Sequence, residues 1–192
     1  MTGSNMYDTA EGVDAYAKMA EGYDGRTHIE RLNQLLAPGS TVLELGMGPG
    51  VDLDMLAQTY TVVGSDHSQA FLDRYAATHP DADVELLDAI TIDTDRRFGA
   101  IYSNKILQHL TTDELHRSLQ RQAEIVHPDG LLLHGLWAGT AVGDHDGLPD
   151  NRYTPDTLAA VVPDTLEIAV CEYYAEMHPN DSLRVILRPS AT

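Results

Sequence analysis

The stretch "TVLELGMGPG", residues 41–50, decides how this chain folds. Thr41–Leu45 is a short β-rich apolar run, and Gly46, Gly48 and Gly50 then fall at every second position before "VDLDMLA" takes up a helical spacing. A strand that turns through glycines into a helix leaves bare backbone N–H groups at the helix start, so a ligand is expected there.

Working outward, short strand-like runs alternate with helical segments. The runs are "TVLEL" (41–45), "YTVVGSD" (60–66), "DVELLD" (83–88), "FGAIYSN" (98–104) and "GLLLHGLWA" (130–138), with helical spacing over 52–58, 68–78 and 112–126. That alternation implies parallel strands joined by right-handed helical crossovers. Thr111, Thr112, Asp113 and Glu114 supply cap residues for the helix that follows them, and "HPDG" (127–130) ends it. Two further strands, 165–174 and 181–189, are separated only by "AEMHPN", too short for a crossover helix, so they form an antiparallel hairpin. The expected fold is therefore α/β: a Rossmann-like three-layer sandwich with a seven-stranded, mostly parallel sheet whose last strand is antiparallel. Residues 155–162 read as a short helix. The segment 139–153, rich in Gly, Asp and Pro, reads as an exposed acceptor-side loop. Residues 1–37 read as an N-terminal helical lid in two pieces broken near Gly22 or Gly25.

A chain of 192 residues suits one domain, 1–192. It lacks an 18-residue apolar run and a signal-peptide pattern, so a cytoplasmic protein is expected. The lone Cys171 excludes an internal disulfide and a cysteine-based metal site. Thirty acids oppose twelve bases, a net charge of −18, which repels nucleic acid and anionic lipid. Twenty of the acids are Asp, and ten of the bases are Arg, with only Lys18 and Lys105 as lysines. This acidic, lysine-poor balance resembles that of proteins from salt-loving organisms, the other reading being an acidic protein from an ordinary GC-rich genome.

A strand, a glycine turn, a helix and an acid closing the next strand, here Asp66, form an arrangement that binds either a nicotinamide or flavin dinucleotide or S-adenosylmethionine. Spacing separates the two. A dinucleotide turn is G-x-G-x-x-G and would put its third glycine at position 51, which is Val51; the chain instead has E-x-G-x-G-x-G, with Glu44 leading. Charge agrees, because Glu44 and Asp52 beside the turn oppose a pyrophosphate and suit a ligand with an ammonium and a sulfonium.

With those residues in view, 41 to about 138 resembles a class I S-adenosylmethionine-dependent methyltransferase of the small-molecule type without an inserted substrate domain. "VLELGMGPG" is similar to its first motif, "VVGSDHS" to its second, "LLDA" (86–89) to its third, "IYSNKILQHL" (101–110) to its fourth and "IVHPDGLLL" (125–133) to the stretch before strand five. The resemblance implies that the cofactor is S-adenosylmethionine, with S-adenosylhomocysteine as product. It implies that Glu44, Gly46, Met47, Gly48 and Gly50 line the methionyl and ribose end, that Asp66 binds ribose hydroxyls and that His67 lies against adenine. Asp88 and the Ala89 amide would read the adenine edge, and Ser103 or Asn104 would meet the methionyl ammonium. Tyr23 and Arg26 of the lid complete the expected set; Arg26 either pairs with the methionyl carboxylate or with surface acids such as Asp24.

Methyl transfer from a sulfonium is an in-line displacement that needs alignment and desolvation more than covalent chemistry. A base helps only where the acceptor arrives protonated, and His109 is the candidate, with structural support as its other reading. His134 reads as a sheet residue. Tyr16 and Tyr23 are seven apart and would share a face if their helix were continuous. The expected function is methylation of a small-molecule acceptor by a monomer or homodimer without nucleic acid, membrane or metal. The alternatives are an inactive cofactor-binding partner protein and an NAD-dependent oxidoreductase.

Overall fold

The computed structural model describes residues 7, 9–145 and 148–190. Nine strands alternate with six helices among the described residues: α1 (Ala10–Met19), α2 (Arg26–Asn33), β1 (Thr41–Leu45), α3 (Val51–Leu56), β2 (Thr61–Asp66), α4 (Gln69–Ala76), β3 (Val84–Leu86), β4 (Phe98–Asn104), α5 (Thr112–Ile125), β5 (Val126–Trp137), β6 (Val142–His145), β7 (Leu148–Asn151), α6 (Pro155–Ala159), β8 (Leu166–Tyr174) and β9 (Ser182–Pro189). Seven strands form one sheet in the order β3-β2-β1-β4-β5-β9-β8. The pairings of β1, β2, β3, β4 and β5 are parallel, whereas β9 runs antiparallel to both β5 and β8. The expected seven-stranded sheet with a reversed last strand is present, and β9 is inserted between β5 and β8.

The helices begin where the side chains allow. Thr111 accepts from the Glu114 N–H, while the Glu114 carboxylate accepts from the Thr111 N–H at 2.9 Å, a reciprocal cap that satisfies two otherwise bare donors. Ser68 caps α4, and Thr154 with Thr157 caps α6. The N-terminal helical region breaks at Ala20–Gly25, with Gly22 left-handed at φ 88°. Alternation along the strands divides the core. Leu43, Leu45, Ile101, Leu132 and Leu136 pack on the α5 side, and Val42, Ala100, Tyr102, Leu131 and Leu133 pack on the α2 side.

Segment 139–153 differs from the loop expected of it. Strands β6 and β7 pair as an antiparallel hairpin, pinned to the segment after β4 by the Asn151 amide donating to the Leu110 carbonyl at 2.7 Å. A 3-10 turn, Leu107–His109, packs against β7.

Candidate functional site

The turn after β1 is held left-handed at Gly46, Gly48 and Gly50, with φ of 69°, 48° and 88°, which side chains disfavour. The three glycines have different surroundings. A Cβ at Gly50 would strike the Tyr75 ring at 2.3 Å, and one at Gly46 would strike Ile106 at 2.5 Å. Gly48 has open space, its nearest neighbour being the Tyr16 ring at 4.0 Å. The Met47 N–H bonds to the Ser65 carbonyl and ties the turn to β2. Met47 is expected to line the cofactor; its side chain is buried beneath the turn with Leu53, Leu72 and Tyr75.

Three buried carboxylates surround this turn: Glu44, Asp52 and Asp66. Asp66 accepts from the Gly48 N–H and the Ser68 N–H, both at 2.9 Å, and so shapes the turn as well as closing β2. His67 is more than half exposed, with Nδ1 at 3.4 Å from Asp66. Glu44 is 3% exposed and its Oε2 has no hydrogen-bond partner. Burial, reinforced by Asp52, Asp66 and Asp54, holds its carboxyl well above the usual range. No Lys or Arg among the described residues pairs with Glu44, Asp52 or Asp66.

Asp52 accepts three hydrogen bonds, from the Gly25 N–H at 2.7 Å, the Tyr102 hydroxyl at 2.7 Å and the Asn104 amide at 3.3 Å. Gly25 has to be glycine here, because a Cβ would lie 1.9 Å from the Tyr102 oxygen. Asn104 and Tyr102 share the α2 face of β4. Ser103 points the other way into the core, where its hydroxyl meets His134 Nδ1 at 2.8 Å. Of the expected pair, Asn104 alone therefore faces the turn side. His134 is fully buried and lowered to about 3 by burial, in keeping with a sheet residue.

The remaining expected residues are more peripheral. Asp88 is exposed and accepts from the Ile90 and Thr91 N–H groups at 2.6 and 3.2 Å, capping its own loop, while the Ala89 carbonyl accepts from Ser118. Arg26 is paired with Asp24 at 3.1 Å and its side chain is 67% exposed, which is the second of its two expected readings. Tyr23 is half exposed and lies beyond the end of α1, so it does not share a helix face with Tyr16. Tyr16 packs edge-on against Tyr7 and Phe71 beside the glycine turn. His109 Nδ1 lies 2.8 Å from the Pro149 carbonyl of β7, and its Nε2 is 3.5 Å from the Gln108 amide nitrogen.

Sequence reading missed the polar network on the β5, β8 and β9 side. Lys105 has φ 59°, and its Nζ lies 2.7 Å from Ser182 Oγ, 3.8 Å from Glu176 and 3.8 Å from the Trp137 ring centre; burial lowers it to about 8. His28 accepts from Arg184 Nε at 2.9 Å through Nδ1, so Nε2 carries the proton toward Tyr174 at 3.0 Å. Burial, with Arg184 next, lowers His28 to about 3. An isolated lysine in an arginine-rich chain was the available signal for Lys105. Nothing local marked His28. No group of three or more metal-ligating residues occurs among the described residues, and no helix is long and apolar enough to cross a membrane.

Comparison with known proteins fits this geometry. Residues 42–130 match a family model described as a methyltransferase domain. A curated relative, an uncharacterized 37.1 kDa protein in transposon TN4556 of Streptomyces fradiae, is 31% identical over 106 residues, covering 51% of this chain and 30% of that protein. The chain thus spans about a third of that relative's length. Among solved structures, an S-adenosylmethionine-dependent methyltransferase from Clostridium acetobutylicum superposes with TM-score 0.77 at 11% identity, covering 93% of this chain and 99% of its own. The N-methyltransferase NodS of Bradyrhizobium japonicum, solved with S-adenosylhomocysteine, gives 0.74 at 16%, with coverage of 98% and 100%. A Rhodobacter sphaeroides protein provisionally named a Zn-dependent alcohol dehydrogenase gives 0.75 at 13%, with coverage of 97% and 100%. These likenesses establish the fold, which is shared with S-adenosylmethionine-dependent methyltransferases of known structure, and residues 42–130 resemble a methyltransferase domain. Fold alone does not fix chemistry, so the site must.

Proposed function

Taking that shared methyltransferase fold as the premise, we propose that this chain transfers a methyl group from S-adenosylmethionine to a small-molecule acceptor in the cytoplasm, as a monomer or homodimer. One observation carries the reading. The glycine turn is ringed by the buried carboxylates Glu44, Asp52 and Asp66, and Glu44 Oε2 lacks any partner. Carboxyl groups at such a turn, with no Lys or Arg among the described residues to neutralise them, oppose a pyrophosphate and suit a ligand carrying an ammonium and a sulfonium. The group fits the residues present: Gly48 offers open space, Glu44 and Asn104 each keep an unpartnered buried oxygen, and Asp66 with the exposed His67 stands at the end of β2.

When bound, S-adenosylmethionine supplies a methyl group already activated by its positive sulfur. The chain's task is to bind, orient and exclude water. Glu44 and Asn104 hold the amino-acid arm, Asp66 the ribose, and Asp88 with the Ala89 amide the adenine edge. The described part of the N-terminal segment, residues 9–37, through Tyr16, and strands β6 and β7 cover the acceptor. His109 is the proposed proton acceptor. A proton on Nδ1, donated to the Pro149 carbonyl, leaves a lone pair on Nε2, and an incoming hydroxyl or ammonium that displaces the long 3.5 Å contact with the Gln108 amide can give its proton there.

Calorimetry with S-adenosylmethionine and with NAD, run separately, tests the assignment; binding of NAD alone overturns it. Incubation of a metabolite extract with labelled methyl donor then finds the acceptor. Cofactor binding without labelled product would point instead to a binding partner protein.

A further inference from the structure

Asp52 belongs to α3, yet none of its three hydrogen bonds serves its own helix. Its carboxylate gathers donors from three places: the Gly25 N–H at the start of α2, the Tyr102 hydroxyl inside β4 and the Asn104 amide at the end of β4. A carboxylate only accepts hydrogen bonds, so each group facing it must present a hydrogen. For a carboxamide this settles which way round it sits. Asn104 turns its nitrogen to Asp52 and its oxygen away, and that oxygen is buried with no partner. It lies over Gly135, where a Cβ would come within 2.7 Å of it and within 2.6 Å of His28 Nε2, so the missing side chain leaves room for both groups. Glu44 pairs in register with Tyr102 and so lies on the same sheet face as Asn104, and its Oε2 is likewise buried without a partner. Two unpaired acceptors so placed suit a group with several N–H donors.

We propose that Asp52 is a positioning residue of the cofactor site: by fixing the Asn104 carboxamide with its oxygen free, it makes Asn104 an acceptor for the amino group of the cofactor's amino-acid arm and prevents it from acting as a donor. The inference rests on the S-adenosylmethionine reading above. It assigns Asp52 no contact with the ligand. An Asn at position 52 keeps the shape but can donate, which lets Asn104 reverse and point its NH2 at the ammonium.

The test uses two ligands that share the adenosyl thioether. S-adenosylhomocysteine has the amino-acid arm, whereas 5′-methylthioadenosine lacks it. Affinities of both are measured by calorimetry on the whole chain, wild type and Asp52→Asn, with folding checked by circular dichroism. The expected result is a loss of about tenfold or more for S-adenosylhomocysteine, the effect of one charge-assisted hydrogen bond, with 5′-methylthioadenosine changed less than about twofold. Should Asp52→Asn not fold, Asn104→Ala leaves Asp52 its other two donors and must give the same selective loss. Equal losses for both ligands in a folded variant, or no loss for either, overturn the proposal. A wild-type chain that binds neither ligand overturns the cofactor reading itself, and the inference with it.

Discussion

Replacing Glu44 by Gln should stabilise the unliganded chain while weakening its hold on the cofactor. Glu44 is 3% exposed, its neighbours Asp52, Asp66 and Asp54 are acids, and its Oε2 is unpaired. Burial and those acids raise its carboxyl well above the ordinary value of 4.5, so the folded chain keeps a proton that the unfolded chain releases. The unfolded state therefore binds fewer protons above that ordinary value, and stability falls as pH rises until the folded carboxyl also ionises. One proton gives a limiting slope of about 1.4 kcal/mol per pH unit. Gln is nearly isosteric and does not titrate. Urea unfolding of both proteins from pH 5 to 8 should show the variant gaining relative stability with pH, with a total on the order of 1–3 kcal/mol, the usual penalty for an unsatisfied buried polar group. With saturating S-adenosylmethionine the order should reverse, because wild type recovers that penalty on meeting the ammonium. A pH-independent difference, or a variant less stable at every pH, would refute the argument.

Asp66→Ala should cost stability as well as affinity, about 1.5–3 kcal/mol for each backbone N–H that loses a charged partner, since Asp66 holds both Gly48 and Ser68; calorimetry and unfolding measured together check this. Gly25→Ala should be destabilised by roughly 2–4 kcal/mol in urea unfolding, because its Cβ would lie 1.9 Å from the Tyr102 oxygen and break the bond to Asp52. His28 and His134 are both lowered to about 3 from 6.5, so the unfolded chain takes up their protons first and stability should fall as pH drops from about 6.5 toward 3. A His28→Asn variant whose acid limb is as steep as wild type would contradict this. With a net charge of −18, the thermal midpoint should rise from about 0.05 to about 2 M KCl as salt screens self-repulsion; a flat or falling midpoint removes the halophilic interpretation.

Legibility in the sequence followed how local each determinant was. The turn at Gly46–Gly50 and the Thr111–Glu114 cap lie within a few residues, and both were readable. Alternation along β4 was also present in the sequence and separates Ser103 from Asn104, since Tyr102 and Asn104 must share a face. The β6–β7 hairpin was obscured because its acidic residues lack an apolar alternation, although Asp-Gly at 146–147 is a hairpin signal in sequence terms. Met47 could not be placed, because side-chain direction in a left-handed turn depends on the packing of Leu53 and Tyr75 below it. His28 and Arg184 are 156 residues apart, and only the assembled sheet brings them together.

The position of β9 bears on how the sheet keeps its edges covered. It is bonded on one side to β5 and on the other to β8, which has no second strand beside it among the described residues. A chain cut before Ser182 would thus lose one strand and expose two open edges, the long apolar β5 and the stranded β8. Unpaired edges of that kind recruit strands from other molecules. Aggregation through the bared β5, rather than simple loss of activity, is therefore the characteristic failure of truncation at this point.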